Sequence, residues 1–149
     1  MLRIAKLTDY AAVLMTQLAR APQRQVSAQQ LAGELGLPAP TVAALLKKLT
    51  RAGLVSSARG VGGGYMLARA SRSISMADVI AAIEGPIALT ECGAQSGVCS
   101  MEAECATRDN WHLISRTVQV ALAAVSLADM ATNMAIAKAA TLPKQAVTK

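Results

Sequence analysis

Residues 27–68 read SAQQLAGELGLPAPTVAALLKKLTRAGLVSSARGVGGGYMLA, and this stretch encodes two short helices followed by a glycine-centred hairpin. Ser27 and Gln30 stand at the spacing of a capping box, in which hydroxyl and amide each satisfy a free backbone N–H of the first turn. Leu31, Ala32 and Leu35 share one face, and Gly36-Leu37-Pro38 stops that helix after about three turns. The next helix tolerates Pro40 in its first turn and sets Val42, Leu45, Leu46 and Leu49 on one stripe until Gly53. Its other stripe is Thr41, Ala44, Lys48 and Arg51, with Lys47 beside it. A helix that buries leucines and presents a hydroxyl, a methyl and cations suits the DNA major groove. Residues 54–58 and 65–68 read as two strands joined by the loop RGVGGG at 59–64, a β-hairpin wing. Its glycines allow close approach to a phosphate chain, and Arg59 at the tip is placed for a phosphate or the minor groove. The loop lacks the Lys-Ser/Thr ending of a nucleotide P-loop.

Charge agrees with this stretch. The chain has 149 residues and a net charge of +6. Residues 1–70 hold nine Lys or Arg against only Asp9 and Glu34, whereas residues 71–149 hold six basic and seven acidic side chains. The basic footprint of a polyanion-binding protein therefore belongs to the first half.

Upstream, Thr8 is expected to cap a helix carrying Ala11, Leu14, Met15 and Leu18 inward and ending before Pro22. Downstream, Ser75 and Asp78 open a helix with Met76, Val79, Ile80 and Ile83 inward, closed by Gly85-Pro86. An irregular stretch from Ile87 to Cys105 holds all three cysteines and Glu91, Glu102 and Glu104. One long final helix is expected from about Asp109 to about Ala137. It carries a heptad-like stripe of Trp111, Ile114, Val118, Ala121, Val125 and Ala128 and a second stripe of Leu113, Val120, Ala124 and Leu127. Two apolar sides allow docking on its own domain and on a second copy, which predicts a homodimer. The chain thus reads as mainly α: a winged helix-turn-helix domain at 1–85, a cysteine loop at 86–107, a dimerisation helix at 108–140 and a disordered tail at 141–149.

The first residues lack a signal peptide's apolar run, and the apolar segment Val118 to Leu127 is far shorter than the roughly 20 residues of a membrane span. A cytoplasmic, non-membrane protein is expected, in which three thiols stay reduced rather than forming a disulfide framework. The spacing Cys92-x6-Cys99-x5-Cys105 suits soft-metal ligation, zinc or iron-sulfur, and equally a thiol redox switch or three unliganded cysteines. His112, the only histidine, reads as a helix-surface residue. With one histidine, no nucleophile motif and no paired acids, nothing builds an enzyme active site.

The segments at 7–10 (LTDY), 53–57 (GLVSS) and 59–65 (RGVGGGY), with the triple-cysteine loop before RDNW at 108–111, resemble the Rrf-type (IscR/NsrR-like) family of bacterial winged helix-turn-helix transcription regulators. The similarity runs from Met1 to about Met130, and the loop looks most like the branch regulating the SUF iron-sulfur assembly operon. The resemblance implies a dimer crossed by its C-terminal helices and binding a pseudo-palindromic operator in double-stranded DNA. It also implies an iron-sulfur cluster, 2Fe-2S ahead of 4Fe-4S, on Cys92, Cys99 and Cys105. It places DNA readers at Ala39, Pro40 and Thr41 and at Arg59 and Gly60. Where some members have a histidine ligand this chain has Arg108, which cannot bind a metal. Other members take an aspartate from the partner subunit's first helix, where Asp9 stands; Glu102, Glu104, His112 or a small molecule are the other candidates. The expected function is a repressor sensing cluster, iron or redox status. The alternatives are a clusterless thiol or zinc regulator and a small iron-sulfur electron-transfer or metal-delivery protein.

Overall fold

Leucine stripes spaced three and four residues apart draw the first three helices together: α1 (Lys6–Arg20), α2 (Ala28–Leu35) and α3 (Ala39–Arg51). The computed structural model describes residues 3–94 and 97–132. Leu14, Met15, Leu31, Leu46 and Leu49 are fully enclosed where the three helices meet. Each such side chain contributes about 1.5–3 kcal/mol by leaving water. The Ser27–Gln30 capping box is present in both directions. Glu34 accepts from Gln17 at 3.1 Å and from Arg24 at 2.8 Å, tying α2 to α1 and to the turn after it. The Gln17 bond first, then the Arg24 bond, holds the Glu34 carboxyl below its usual range.

Strands β1 (Val55–Ala58) and β2 (Gly64–Leu67) pair antiparallel in the register Val55 opposite Leu67 through Ala58 opposite Gly64. Val26 adds one more rung: its N–H donates to the Tyr65 carbonyl at 3.0 Å, and Tyr65 N–H donates back at 2.8 Å. This rung anchors the hairpin to the segment between α1 and α2. It explains Gly64, because a Cβ there would stand 2.8 Å from the Val26 backbone.

Helix α4 (Met76–Glu84) opens with the expected Ser75–Asp78 capping box and buries Met76, Val79, Ile80 and Ile83. It is followed by a short helix, α5 (Glu91–Ala94), then α6 (Arg108–Ala123) and α7 (Leu127–Ala131). Two expectations are corrected here. Helix α1 starts at Lys6, so Thr8 is no cap; it is buried and donates to the Glu84 carboxylate at the end of α4. The expected unbroken helix from Asp109 to Ala137 stops at Ala123, and residues 133–137, like the tail 141–149, lie outside the described residues.

The break has a local cause. Ser126 and Asp129 form a third capping box, so a new helix begins where the old one would have continued. The two capped starts are clasped together. Met76 N–H donates to Val125 and Leu127 N–H donates to Ile74, both at 2.8 Å. Helix α7 thereby lies against α1, with Leu127 fully buried in the core of the first domain.

Candidate functional site

Helix α3 needs no side-chain cap at its start, since Pro38 precedes it and Pro40 occupies the first turn, where a missing N–H costs nothing. Its buried stripe is the one read from the sequence: Val42, Leu45, Leu46 and Leu49. Ala39, Pro40, Ala43, Ala44, Lys47, Lys48 and Arg51 are exposed, and Thr41 is half-buried. The face is chemically split along its length. Its N-terminal half offers one hydroxyl among apolar groups, and its C-terminal half carries the three cations.

Lys48 has a second partner that the sequence did not disclose. Its Nζ donates to the Ile83 carbonyl at 3.1 Å, in the last turn of α4. A cation there meets the negative end of the helix dipole. Close by on the chain, Glu84 accepts from Thr8. The end of α4 therefore joins the proposed recognition helix, the start of α1 and, through Gly85-Pro86, the cysteine loop.

The wing tip turns through Gly60 at φ +102, a conformation that L side chains rarely adopt, and Gly63 N–H donates to the Gly60 carbonyl at 3.0 Å. Arg59 is exposed at this tip. The glycines thus serve the hairpin's own geometry as well as any approach to phosphate.

Cys92 is buried on α5, with its Sγ 3.3 Å from the Thr90 hydroxyl. The loop is pinned by Ser115, a buried polar residue of α6 whose hydroxyl accepts from Leu89 N–H at 3.2 Å. Cys99 and Cys105 are half-buried. Cys105 Sγ lies 3.5 Å from the Thr107 hydroxyl, and hydrogen bonds from the Thr107 side chain first, then from backbone groups, hold this thiol below its usual range. Arg108 N–H donates to the Cys105 carbonyl at 3.2 Å. Its side chain lines an open hollow of about 390 Å³ with Cys99, Gly97, Ser100 and Ala103.

By donor chemistry the three thiols of one loop fit a soft metal or a cluster. In their present arrangement they do not converge: among the described residues no three His, Cys, Asp or Glu side chains are grouped as metal donors. Asp9 is exposed in the first turn of α1, lining a shallow hollow with Val13, Gln17 and Met130. Glu104 is exposed and His112 half-buried, apart from any such group.

The order of three helices, hairpin and capped α4 is that of a winged helix. A family model described as Rrf2, iron-dependent transcriptional regulator, matches residues 4–133. The chain belongs to the Rrf2 family. It is 35% identical over 129 residues to the HTH-type transcriptional regulator IscR of Cereibacter sphaeroides, covering 83% of each chain. An HTH-type regulator of Neisseria meningitidis serogroup A is 43% identical over 83 residues, and this chain spans about half of it, 55%. Among solved structures, that of CymR, the global cysteine regulator of B. subtilis, aligns with TM-score 0.73 at 32% identity over 89% of this chain and 98% of that one. T. potens IscR aligns with TM-score 0.69 at 28% identity over 96% and 93%.

The winged-helix, mainly helical architecture read from the sequence is thereby shown, and the curated relatives of this Rrf2-family chain are HTH-type transcriptional regulators rather than enzymes. Its place among regulators replaces the electron-transfer alternative. Among the described residues no helix is long and apolar enough to cross a membrane.

Proposed function

We propose that the protein is a cytoplasmic, dimeric repressor that binds a pseudo-palindromic operator and senses iron-sulfur, iron or redox status, with SUF assembly genes as its target. The observation that carries the DNA-binding part is the exposed face of α3, where Ala39, Pro40 and Thr41 lead to Lys47, Lys48 and Arg51, in a domain whose wing presents Arg59 and Gly60. Cations at the far end of the helix anchor phosphates while its N-terminal residues meet base edges.

Cys92, Cys99 and Cys105 are the residues that would hold the cluster, with Asp9 of the partner subunit as the fourth ligand and 2Fe-2S ahead of 4Fe-4S. A bound cluster supplies an oxidant-labile, one-electron centre. The chain's own contribution is the wiring of the loop. Its start is held by Ser115 of α6, its end runs into the first turn of α6, and its upstream anchor is the end of α4, where Lys48 of α3 is bonded. A change of loop conformation therefore bears on both α6 and the recognition helix.

A second reading, a thiol-responsive regulator without a cluster, is favoured by the separation of the three thiols among the described residues. One experiment separates them. Anaerobically purified wild type and Cys92→Ala are assayed for visible absorption, iron and sulfide, and for retardation of the protein's own promoter DNA. A brown, iron-containing wild type whose colour vanishes in Cys92→Ala supports the cluster reading. A colourless protein that binds DNA only when its thiols are reduced supports the thiol reading. Failure to bind the promoter in any state sinks both.

A further inference from the structure

We infer that the N-terminal half of α3 reads thymine through its C5-methyl group, so that part of the operator's specificity is apolar. This rests on the DNA-binding reading above and deepens it. In the major groove a recognition helix meets base edges with its N-terminal residues. Here those residues are Ala39, Pro40, Thr41, Ala43 and Ala44, which offer one hydroxyl and otherwise only carbon. The Arg, Asn, Gln and Glu side chains that read purines and cytosine by paired hydrogen bonds are absent from this half.

What stands there instead is a shallow, mainly apolar hollow of about 300 Å³. It is lined by Pro40, Thr41, Ala44 and Leu45 of α3 and by Leu7 of α1, with Lys48 at its edge. Leu7 is half-exposed at 49%, an apolar wall that the fold leaves in water. The occupant is marked by what surrounds the hollow. Lys47 and Arg51 follow on the same exposed face, about two and three turns beyond Pro40, so a surface docking there is polyanionic and brings an apolar projection to a fixed place between its phosphates. Among the four bases only thymine projects a methyl into the major groove. Alanine and threonine methyl groups are its ordinary partners.

The test compares thymine with deoxyuridine, which differs by that methyl alone. Full-length protein is used to enrich duplexes from a randomised library, and each thymine of an enriched duplex is then replaced singly by deoxyuridine. At one or two thymines per half-site the affinity is expected to fall about fourfold, the worth of one buried methyl. Thr41→Ser, which keeps the hydroxyl, and Ala44→Gly are expected to bring the thymine-to-uracil ratio at those positions close to one. Arg51→Ala is expected to weaken both duplexes equally and leave the ratio unchanged. Thermal unfolding of each variant shows that it is folded, and Thr41→Ser keeps the test independent of the helix weakening that glycine brings. Enriched duplexes that bind equally well with uracil at every position overturn the methyl readout and leave the DNA-binding face standing. Enrichment of no duplex, or binding indifferent to Arg51→Ala, overturns that face and the inference with it.

Discussion

At the residue scale, the cations of α3 and of the wing are not equivalent. Arg51 and Arg59 are exposed on the proposed DNA face, whereas Lys48 already donates to the Ile83 carbonyl. Phosphate contacts release counterions, so each one lost lowers the slope of log affinity against log salt by about one. Arg51→Ala and Arg59→Ala are each expected to lower that slope by about one per contacting subunit and to leave thermal stability nearly unchanged. Lys48→Ala is expected to do the opposite, costing about 1 kcal/mol of stability with a smaller change in slope. Fluorescence anisotropy titrations of labelled promoter DNA from low to physiological salt, beside thermal melts, read both quantities. Equal slopes for wild type and the double variant Arg51→Ala/Arg59→Ala would remove α3 and the wing from the interface. The stripe that carries Lys48 was legible in sequence. Its partner was not, because Ile83 is 35 residues away and offers only a backbone carbonyl, which no side-chain pattern announces.

At the scale of elements, the sequence pattern was most informative where two local signals agreed and least where they competed. Ser27 with Gln30 and Ser75 with Asp78 stood before fresh apolar periods, so both helix starts were plain. Ser126 with Asp129 is the same signal, but it lies inside an apolar period running from Trp111 to Ala128, and the longer pattern masks it. In the fold the cap prevails because the chain there also gains two backbone bonds to the start of α4 and buries Leu127. Val26 beside Tyr65 was illegible for a related reason, since a single rung leaves no alternation to detect. Ser115 was detectable in principle: it is the polar member of the inward stripe Ser115, Val118 and Leu122. The clasp gives a prediction. Ser126→Ala removes the capping oxygen of α7 and is expected to cost about 1 kcal/mol, comparable to Ser75→Ala at α4. Circular dichroism melts should show a drop of about 3 °C for each. A Ser126→Ala melt indistinguishable from wild type, beside a lowered Ser75→Ala melt, would mean that α7 is not docked as described.

At the scale of the whole molecule, α6 has two faces with different fates. Ser115 is buried and Val118 and Leu122 half-buried toward α4 and the cysteine loop, while Leu113 and Val120 stand 65% and 63% exposed on the opposite side with Ala124. The second of the two stripes read from the sequence is thus largely the outward one, and only its last member, Leu127, turns into the core. An apolar face of this kind on a charged helix is expected to be covered by a second copy related by a two-fold axis, each face meeting its own equivalent. Placing one charge at its centre should then separate the copies without unfolding the protomer, because Val120 makes no part of the buried core. Sedimentation equilibrium of Val120→Glu is expected to give the protomer mass of 15.4 kDa, against twice that for wild type. Loss of the dimer should also be felt in DNA. Two tethered recognition helices on one operator gain about 10²–10⁴ in affinity over a single one, so the variant should bind a two-half-site duplex that much more weakly while its affinity for an isolated half-site is unchanged. A Val120→Glu protein that remains a dimer would move the interface elsewhere on the chain. A monomer that still binds the full operator tightly would mean that the two helices do not act as one reader.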